Sequence, residues 1–262
     1  MIDFLNDFPL NEPLIFDSHA HYDDSRFDDC RDELLSALSN HGVGGIVNCG
    51  CDIKSSETAL SIAEKYEFVY AAVGFHPGNL ENGIDLNKIE KLAQHKKCVA
   101  IGEIGLDYYW TQDNKPLQKE AFENQIKLSK KSDLPIIVHD REAHKDTLDI
   151  LRKYQPKGVV HSFSGSVEMA EEILNLGMYI GIGGVITFKN AKKLPEVVKM
   201  LPNDRILLET DAPYLTPVPY RSKTNHSAMI YFTAQKIAEI RETTTEHILN
   251  LCFKNAKNLF FV

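Results

Sequence analysis

The sequence predicts an α/β protein of the (β/α)8 TIM-barrel class. Two observations carry this prediction. Short apolar or β-branched runs recur eight times along the 262 residues, and segments with helical periodicity separate them, which is typical of a parallel sheet covered by helices. Several runs, such as residues 136–138 and 206–208, are apolar without alternation, as in strands buried on both faces. An open doubly wound sheet is the alternative, but no G-x-G-x-x-G motif follows the first run.

The elements can be placed in order along the chain. The predicted strands span residues 14–16, 45–48, 68–73, 98–101, 135–138, 158–160, 178–182 and 206–208. The predicted helices between them span residues 31–40, 55–65, 86–94, 117–132, 144–154, 167–176 and 191–200. The tail, residues 226–262, predicts two more helices that begin near Ser227 and Thr244 and pack outside the barrel. No linker or change of composition interrupts the chain, so we expect residues 1–262 to form one domain.

The composition narrows the class of protein. Hydrophobic residues make up 43% of the chain and charged residues 25%, which excludes a disordered or collagen-like chain. With 29 basic and 37 acidic residues the net charge is −8, so a broad basic face for nucleic acid is excluded. A nucleic-acid substrate would have to be held locally, by metal ions or by a few cationic side chains.

The apolar runs, the first residues and the cysteines predict where in the cell the protein is found. No apolar run approaches the roughly 18 residues of a membrane-spanning helix, and residues 1–13 lack the basic start of a secretory signal. The five cysteines are an odd number, and Cys49 and Cys51 form C-x-C rather than a C-x-x-C pair. We interpret these two, with Cys98 and Cys252, as small core residues. We therefore expect a cytoplasmic protein without membrane association.

Residue types that bind metals follow five of the eight predicted strands. His19 and His21, in F-D-S-H-A-H, stand two apart, so both imidazoles can face the same side of a strand. The other four are Glu103 in G-E-I-G-L-D, His139 in V-H-D-R, His161 in V-H-S-F and Asp211 in L-E-T-D-A-P. The carboxyl ends of barrel strands meet at one face, so all six side chains would converge there. Packing alone does not explain this, because unpaired buried polar groups cost stability.

Six ligands exceed the needs of one tetrahedral ion and suffice for two. Glu103 is the candidate bridge, since a carboxylate can give one oxygen to each ion. Four histidines and two carboxylates suit zinc, manganese, nickel or cobalt better than magnesium alone. We expect two divalent ions from this group of five metals. Such a pair can acidify a bound water and neutralise charge on the attacked group.

The motifs together resemble a known family. They are F-D-S-H-A-H, G-F-H-P, G-E-I-G-L-D-Y, V-H-D-R, H-S-F-S-G, G-I-G-G-V-I-T-F-K-N-A and L-L-E-T-D-A-P-Y-L-T-P. Motif by motif and in this order, they are similar to those of the TatD family of metal-dependent deoxyribonucleases. G-E-I-G-L-D and E-T-D-A-P-Y-L are highly specific, and the similarity covers nearly the whole chain. The resemblance implies a TIM barrel of the amidohydrolase-like group and a nuclease activity on DNA.

The resemblance also implies how the ligands divide between two ions. The first ion would be held by His19, His21, Glu103 and Asp211. The second would be held by Glu103, His139 and His161. One stretch departs from the family pattern: where many members read R-G-K-x-N-E-P, residues 221–227 read R-S-K-T-N-H-S, which keeps Arg221 and Asn225. This stretch borders the expected mouth of the barrel, so it bears on substrate preference more than on the metal site.

Several further residues are candidates for substrate contacts. His76 in G-F-H-P, Arg141 two residues after His139, and Arg221 could each bind a substrate phosphate. For Arg141 a structural ion pair is an equal alternative, and for His76 the alternative is an ordinary loop histidine. Tyr109 and Trp110 could stack a base or pack under their loop. The remaining candidates are Asp107 and Tyr108, for the loop or the substrate, and Glu209, as a partner of a ligand imidazole or in a salt bridge.

These inferences predict a dinuclear-metal hydrolase that cleaves DNA phosphodiester bonds, in the manner of a 3′–5′ exonuclease. A metal-bridging hydroxide would attack phosphorus in line, and Asp211 would orient that hydroxide and accept its proton. The predicted catalytic residues are therefore Asp211 and Glu103, with Glu103 as the bridging ligand. We expect DNA or another phosphodiester as the only partner, and a monomer.

Two alternatives remain open from the sequence. The same six ligands could serve a hydrolase of esters, lactones or amides, for example an aminoacyl-ester deacylase, because a metal-activated water attacks carbonyl carbon as readily as phosphorus. The chain could also be a metal-stabilised scaffold without catalysis, which would require that no coordination position be open.

Overall fold

Eight parallel strands, hydrogen-bonded to one another in chain order, form a single sheet. The computed structural model describes residue 12 and residues 14–81, 83–110 and 113–262. The strands are β1 (Ile15–Ala20), β2 (Val43–Cys49), β3 (Val69–Val73), β4 (Cys98–Asp107), β5 (Ile136–Arg141), β6 (Gly158–Val160), β7 (Tyr179–Ile182) and β8 (Ile206–Leu208).

The sheet curls until its two edges meet. The backbone N–H of Asp211, just beyond β8, donates to the His19 carbonyl oxygen at 2.9 Å, and the N–H of His21 donates to that of Ala212 at 2.7 Å. The Ser18 hydroxyl also donates to the Leu208 carbonyl at 3.0 Å. These bonds join β1 to the chain after β8 and nearly close a (β/α)8 barrel, which confirms the predicted fold class.

Helices cover the outside of the sheet between successive strands. They are α1 (Arg31–Leu38), α2 (Ile53–Lys65), α3 (Leu86–Leu92), α4 (Lys115–Lys131), α5 (His144–Tyr154), α6 (Val167–Asn175), α7 (Leu194–Met200), α8 (Ile230–Ile240) and α9 (Thr245–Phe260). Predicted and observed positions agree, with shifts at the ends. The helix predicted from residue 191 begins at Leu194, with Pro195 in its first turn, where proline is favoured. The helix predicted near Ser227 begins as a 3-10 turn, and α8 proper starts at Ile230.

The amino-terminal end of the barrel is filled by apolar side chains and covered by α9. One buried cluster joins residues of seven strands to the last helix: Phe16, Val47, Cys49, Ala72, Val99, Ala100, Ile137, Val159, Leu207, Ala256, Leu259 and Phe260. The centroid of the Phe16 ring lies 6.0 Å from that of the nearly parallel Phe260 ring and 5.9 Å from that of the Phe253 ring, which it meets edge to face. The C-terminal helices therefore pack outside the strand ring, and the carboxyl-terminal end of the barrel is the end left for a site.

The sequence predicts no secretory signal in residues 1–13. Apart from residue 12, this segment lies outside the residues that the structure describes. Among the helices that the structure describes, none combines the length and apolar character needed to cross a bilayer. All five cysteines are described and carry free thiols.

Candidate metal centre

The six predicted ligand side chains lie together at the carboxyl-terminal end of the barrel. His19 is part of β1, Glu103 of β4 and His139 of β5. His21 and His161 immediately follow β1 and β6, and Asp211 is the third residue after β8. Groups drawn from these six have ligand atoms within 4.8 Å of one another: His19, His21 and Asp211, and separately His19, Glu103 and His161. Side chains that are about 190 residues apart in the chain thus share one small volume.

Glu103 is at the centre of this arrangement, and its two carboxylate oxygens face different histidines. Oε1 lies 2.7 Å from His139 Nδ1 and 2.7 Å from His161 Nε2. Oε2 lies 3.4 Å from His19 Nε2 and 3.5 Å from His21 Nε2. The carboxylate is thereby divided between two pairs of imidazoles, as a bridging ligand would be.

The β4 strand holds Glu103 in this place by unusually close packing. All ten residues of β4 are buried, and the strand runs six residues beyond the predicted 98–101, because Gly102, Glu103 and Gly105 continue it without adding apolar bulk. At Gly105 the backbone adopts φ +145°, and a Cβ there would overlap the carbonyl oxygen of His139. Only glycine lets β4 and β5 approach this closely with their ligand side chains on the same face.

The ring of His21 directs its Nε2 toward the carboxylates of Glu103 and Asp211. Its Nδ1 lies 2.9 Å from the carbonyl oxygen of Cys49. A carbonyl only accepts, so Nδ1 carries a proton and donates. Burial opposes a charged ring, but Cys51, Asp211 and Glu103 outweigh it and raise the pKa of His21, so in the absence of a metal ion Nε2 carries a proton as well, which an ion binding there would displace. That Nε2 lies 3.0 Å from His19 Nε2 and 3.4 Å from Asp211 Oδ1. Imidazole nitrogens and anionic oxygens that converge in this way suit a metal cation, which would take the place of the ring proton.

His139 lies between two carboxylates. Its Nε2 is 3.1 Å from Asp107 Oδ2, on the side away from Glu103. Burial opposes a charged ring, but hydrogen bonds with Asp107 and Glu103 outweigh it and raise the pKa of His139 to about 9. With a proton held on Nε2 by Asp107, Nδ1 is the nitrogen available to a metal ion, and ion binding there would release a proton.

Asp211 completes the set on the side of β8. Its Oδ1 is 3.6 Å from His19 Nε2 and 3.4 Å from His21 Nε2. Burial alone would raise the pKa of Asp211, but the hydrogen bond with His21 and the charges of nearby imidazoles lower it, so the carboxyl stays ionised. Its backbone is in the left-handed region, at φ +58°, where aspartate and asparagine are among the few tolerated residues.

His76 approaches the same carboxylate as a donor. Its Nδ1 accepts the backbone N–H of Gly78 at 3.0 Å. Burial lowers the pKa of His76 to about 3, so the ring is neutral and its proton is on Nε2. That Nε2 lies 3.8 Å from Glu103 Oε1. A donor in this position suits a substrate oxygen better than a metal ion.

Glu209 lies next to the His161 ring, on the side away from Glu103. This agrees with the sequence-based alternative in which Glu209 is a partner of a ligand imidazole. Its Oε1 accepts the backbone N–H of Ser162 and is 3.8 Å from His161 Nδ1. A Cβ at Gly181 would overlap its other oxygen. Burial raises the pKa of Glu209 to about 8, which means that the folded protein keeps this carboxyl protonated far above its usual range.

The raised pKa of Glu209 predicts a pH dependence of stability in metal-free protein. Since the folded state binds this proton more tightly than the unfolded state, the free energy of unfolding should fall as pH rises from about 4.5 to about 8. Glu209→Gln cannot ionise and should remove a part of that fall on the order of a few kcal/mol. Urea denaturation in EDTA across this range measures it, with the exposed Glu171→Gln as control. Identical pH profiles for wild type and Glu209→Gln would contradict the assignment.

A cavity of ≈ 450 Å³ opens over these residues. Its wall includes His21, His76, Glu103, His139, His161, Asp211 and Arg141. Arg141 is exposed at the rim, whereas Arg221 is not part of the wall. The Arg221 guanidinium donates to the Thr216 carbonyl at 2.9 Å and stacks on the Phe188 ring at 3.8 Å, so its loop holds it away from the cavity. Asn225 is buried and donates to the carbonyls of Thr210 and Tyr214, which ties the altered loop to the chain around Asp211.

Five residues of the cavity wall were not anticipated as such: Asp23, Asp24, Cys51, Asn79 and Tyr214. Cys51, interpreted as a core residue, is only half-buried and lines the cavity, with Sγ 4.0 Å from Glu103 Oε2. The position of Cys51, two residues after the end of β2 and at the same face as the ligands, is the signal that could have identified it. Asp23 also lines the cavity and accepts a hydrogen bond from Asn48 at 3.1 Å. Cys49, by contrast, is buried as predicted, with Sγ 3.4 Å from His19 Nδ1.

Comparison with known proteins places this arrangement in context. A family model described as TatD related DNase matches residues 16–261. The chain is 43% identical over 252 residues to the uncharacterized metal-dependent hydrolase YabD of Bacillus subtilis, covering 94% of this chain and 99% of that protein. The crystal structure of YjjV, a TatD homolog from Escherichia coli, matches with a TM-score of 0.89 and 32% identity, over 95% of this chain and 99% of that one. A mutant organophosphorus hydrolase from Deinococcus radiodurans shares the fold, with a TM-score of 0.64 and 14% identity over 97% of this chain and 98% of that one.

Proposed function

The chain belongs to the TatD-related DNase family of metal-dependent hydrolases, and on that premise we propose that it cleaves DNA phosphodiester bonds from a strand end, in the 3′–5′ direction. The observation that carries the proposal is the division of the Glu103 carboxylate, with one oxygen facing His139 and His161 and the other facing His19 and His21. A site built around one shared carboxylate suits a pair of ions spanning a phosphate.

We assign the ligands to two ions on the same geometry. Glu103 Oε2, His19 Nε2, His21 Nε2 and Asp211 Oδ1 would hold one divalent ion; Glu103 Oε1, His139 Nδ1 and His161 Nε2 would hold the other. Zinc, manganese, nickel and cobalt suit this mixture of imidazole and carboxylate, and magnesium suits it less. When bound, the ions would acidify a water molecule and neutralise charge on the phosphate.

The chain's own residues supply the remaining steps. The ionised Asp211 carboxylate faces the centre, where it can orient the attacking water and accept its proton. The Nε2–H of His76 can donate to a nonbridging phosphate oxygen beside Glu103. Arg141, at the rim of the cavity, can bind a phosphate of the substrate strand through its forked N–H groups.

We further propose the cytoplasm as the site of action and a monomer as the working form. The five free thiols support a reducing compartment. The six ligands all come from one chain, so no second copy is needed to complete the site.

The proposal is tested by offering two classes of substrate to the metal-loaded protein. An end-labelled DNA oligonucleotide should be shortened stepwise from its 3′ end, while a panel of small esters, lactones and aminoacyl esters should be hydrolysed at least about a hundredfold less efficiently. Glu103→Gln, prepared identically, excludes a contaminating nuclease. Efficient hydrolysis of an ester with no cleavage of the oligonucleotide would replace the nuclease proposal with the carbonyl-hydrolase alternative.

A further inference from the structure

Two aromatic side chains stand exposed beside the cavity, immediately after the strand that carries Glu103. Trp110 is 69% exposed and Tyr109 is 54% exposed. Their rings meet edge to face, with centroids 4.8 Å apart. Trp110 lines the same cavity as the proposed metal ligands. This degree of exposure excludes packing under the loop, one of the two alternatives for this pair, and leaves large aromatic faces open to a ligand.

Arg141 lies against this pair. Its guanidinium carbon is 4.1 Å from the Tyr109 ring centroid and 5.4 Å from that of Trp110. Within the described parts of the chain, no carboxylate forms an ion pair with it. Across the cavity mouth, Arg26 stacks on Tyr214 at 4.0 Å in a similar way, but Asp24 neutralises it at 3.0 Å. Arg141 therefore offers both its charge and its N–H donors to a ligand.

The aromatic pair is fixed relative to the metal centre through one carboxylate. Asp107 Oδ1 accepts the backbone N–H groups of Tyr109 at 2.9 Å and Trp110 at 3.0 Å. The other oxygen of Asp107 contacts His139 Nε2 at 3.1 Å. The buried Asp107 side chain thus fixes the distance between the backbone of the two aromatic residues and the imidazole of His139, a proposed metal ligand. A molecule bound on the aromatic faces would therefore lie at a defined distance from the metal centre.

We propose that Trp110, Tyr109 and Arg141 form a stacking platform for one unpaired nucleobase of the substrate, next to the phosphodiester at the metal centre. An aromatic face binds any base by stacking, and the adjacent guanidinium binds the phosphate that joins this base to its neighbour. This proposal rests on the proposed function, because it takes the substrate to be a nucleic acid. A base inside a duplex has both faces covered, so the platform selects a single-stranded segment or a frayed end.

The protein contains its own probe for this test, because Trp110 is its only tryptophan. The Asp211→Asn variant, loaded with zinc, is titrated with a short single-stranded oligonucleotide and with an all-abasic oligomer of the same length. Stacking should change the tryptophan emission with the first ligand and leave it unchanged with the second. Equal emission changes with both, or none with the base-containing oligomer, would overturn the platform.

Cleavage by variants of the platform residues, in protein that keeps Asp211, gives a second and independent test. Trp110→Ala should raise KM for the base-containing oligonucleotide about tenfold and leave cleavage of the abasic oligomer unchanged, while Trp110→Phe should restore most of the loss. Arg141→Gln should weaken the binding of both substrates, because both contain phosphates. Phe261→Ala is the matched control, since Phe261 is 72% exposed beside Lys157 and is no part of the cavity wall. An equal effect of Trp110→Ala on both substrates would contradict the platform.

The two proposals fail in different ways. If the emission changes only with bases but neither oligomer is cleaved by the metal-loaded protein, the nuclease proposal is wrong and the platform stands. If both oligomers are cleaved with the same KM by wild type and by Trp110→Ala, the nuclease proposal stands and the platform is wrong.

Discussion

Glu103→Gln should abolish hydrolysis and empty at least one metal position. The carboxylate faces both proposed ions, and an amide offers one neutral oxygen in place of two anionic ones. We expect kcat to fall at least about a thousandfold, which corresponds to roughly 4 kcal/mol of lost transition-state stabilisation. Cleavage of the labelled oligonucleotide measures this loss, and elemental analysis of the same sample measures bound metal.

The control for this variant is Glu171→Gln, which makes the same chemical change at an exposed position of α6. It should retain wild-type turnover and metal content. Far-ultraviolet circular dichroism of Glu103→Gln should match wild type, since the change adds no bulk to the barrel. Near-normal cleavage by a Glu103→Gln protein with its full metal content would contradict the role given to this carboxylate.

Asp211→Asn should lower turnover roughly a thousandfold while keeping the backbone intact. Asparagine is nearly isosteric and tolerates the left-handed conformation at φ +58°, whereas Asp211→Ala would add strain there. The amide cannot accept the proton of an attacking water, so the loss should fall mainly on kcat rather than on KM. Single-turnover cleavage of the labelled oligonucleotide distinguishes a loss of kcat from a rise in KM.

The same variant should keep the ion at His139 and His161, because Asp211 faces only the other side of Glu103. Loss of both ions would show that Asp211 holds the whole centre together. Retention of both ions with near-normal kcat would show that Asp211 accepts no proton in the reaction.

The fold could be predicted because its signal repeats along the chain. Each strand, such as residues 136–138, is an apolar run too short for a helix, and eight of them in regular alternation leave few architectures. The length of β4 could not be predicted in the same way. Its continuation beyond residue 101 contains Gly102, Glu103 and Gly105, which add no apolar pattern. The two glycines stay in the strand because close packing against β5 leaves no room for a Cβ.

The convergence of the ligand side chains was predictable for a related reason. Strand ends of a barrel meet at one face, so residue types at those ends can be read as a single set before any distance is known. Loop positions follow no such rule. Arg221 follows the family pattern in sequence, yet its loop places the guanidinium on Phe188 and the Thr216 carbonyl, outside the cavity wall.

Side-chain exposure was the other quantity that sequence could not supply. Whether Trp110 packs or faces solvent depends on how Asp107 holds the backbone after β4, a contact between side chain and main chain that no periodicity encodes. Cys51 was misread for the opposite reason. Its neighbour Cys49 is buried under His19, and two residues further on the chain has already left the strand for the cavity wall.

The central claim is that the six side chains hold two ions through a shared Glu103, and counting metal tests it most directly. The chain is loaded with zinc or manganese, dialysed free of loosely bound ions and analysed for metal per mole of protein. We predict two ions per chain for wild type, and one for His161→Ala, which should keep the ion at His19 and His21. A single ion in wild-type protein, or the loss of both ions in His161→Ala, would contradict the account.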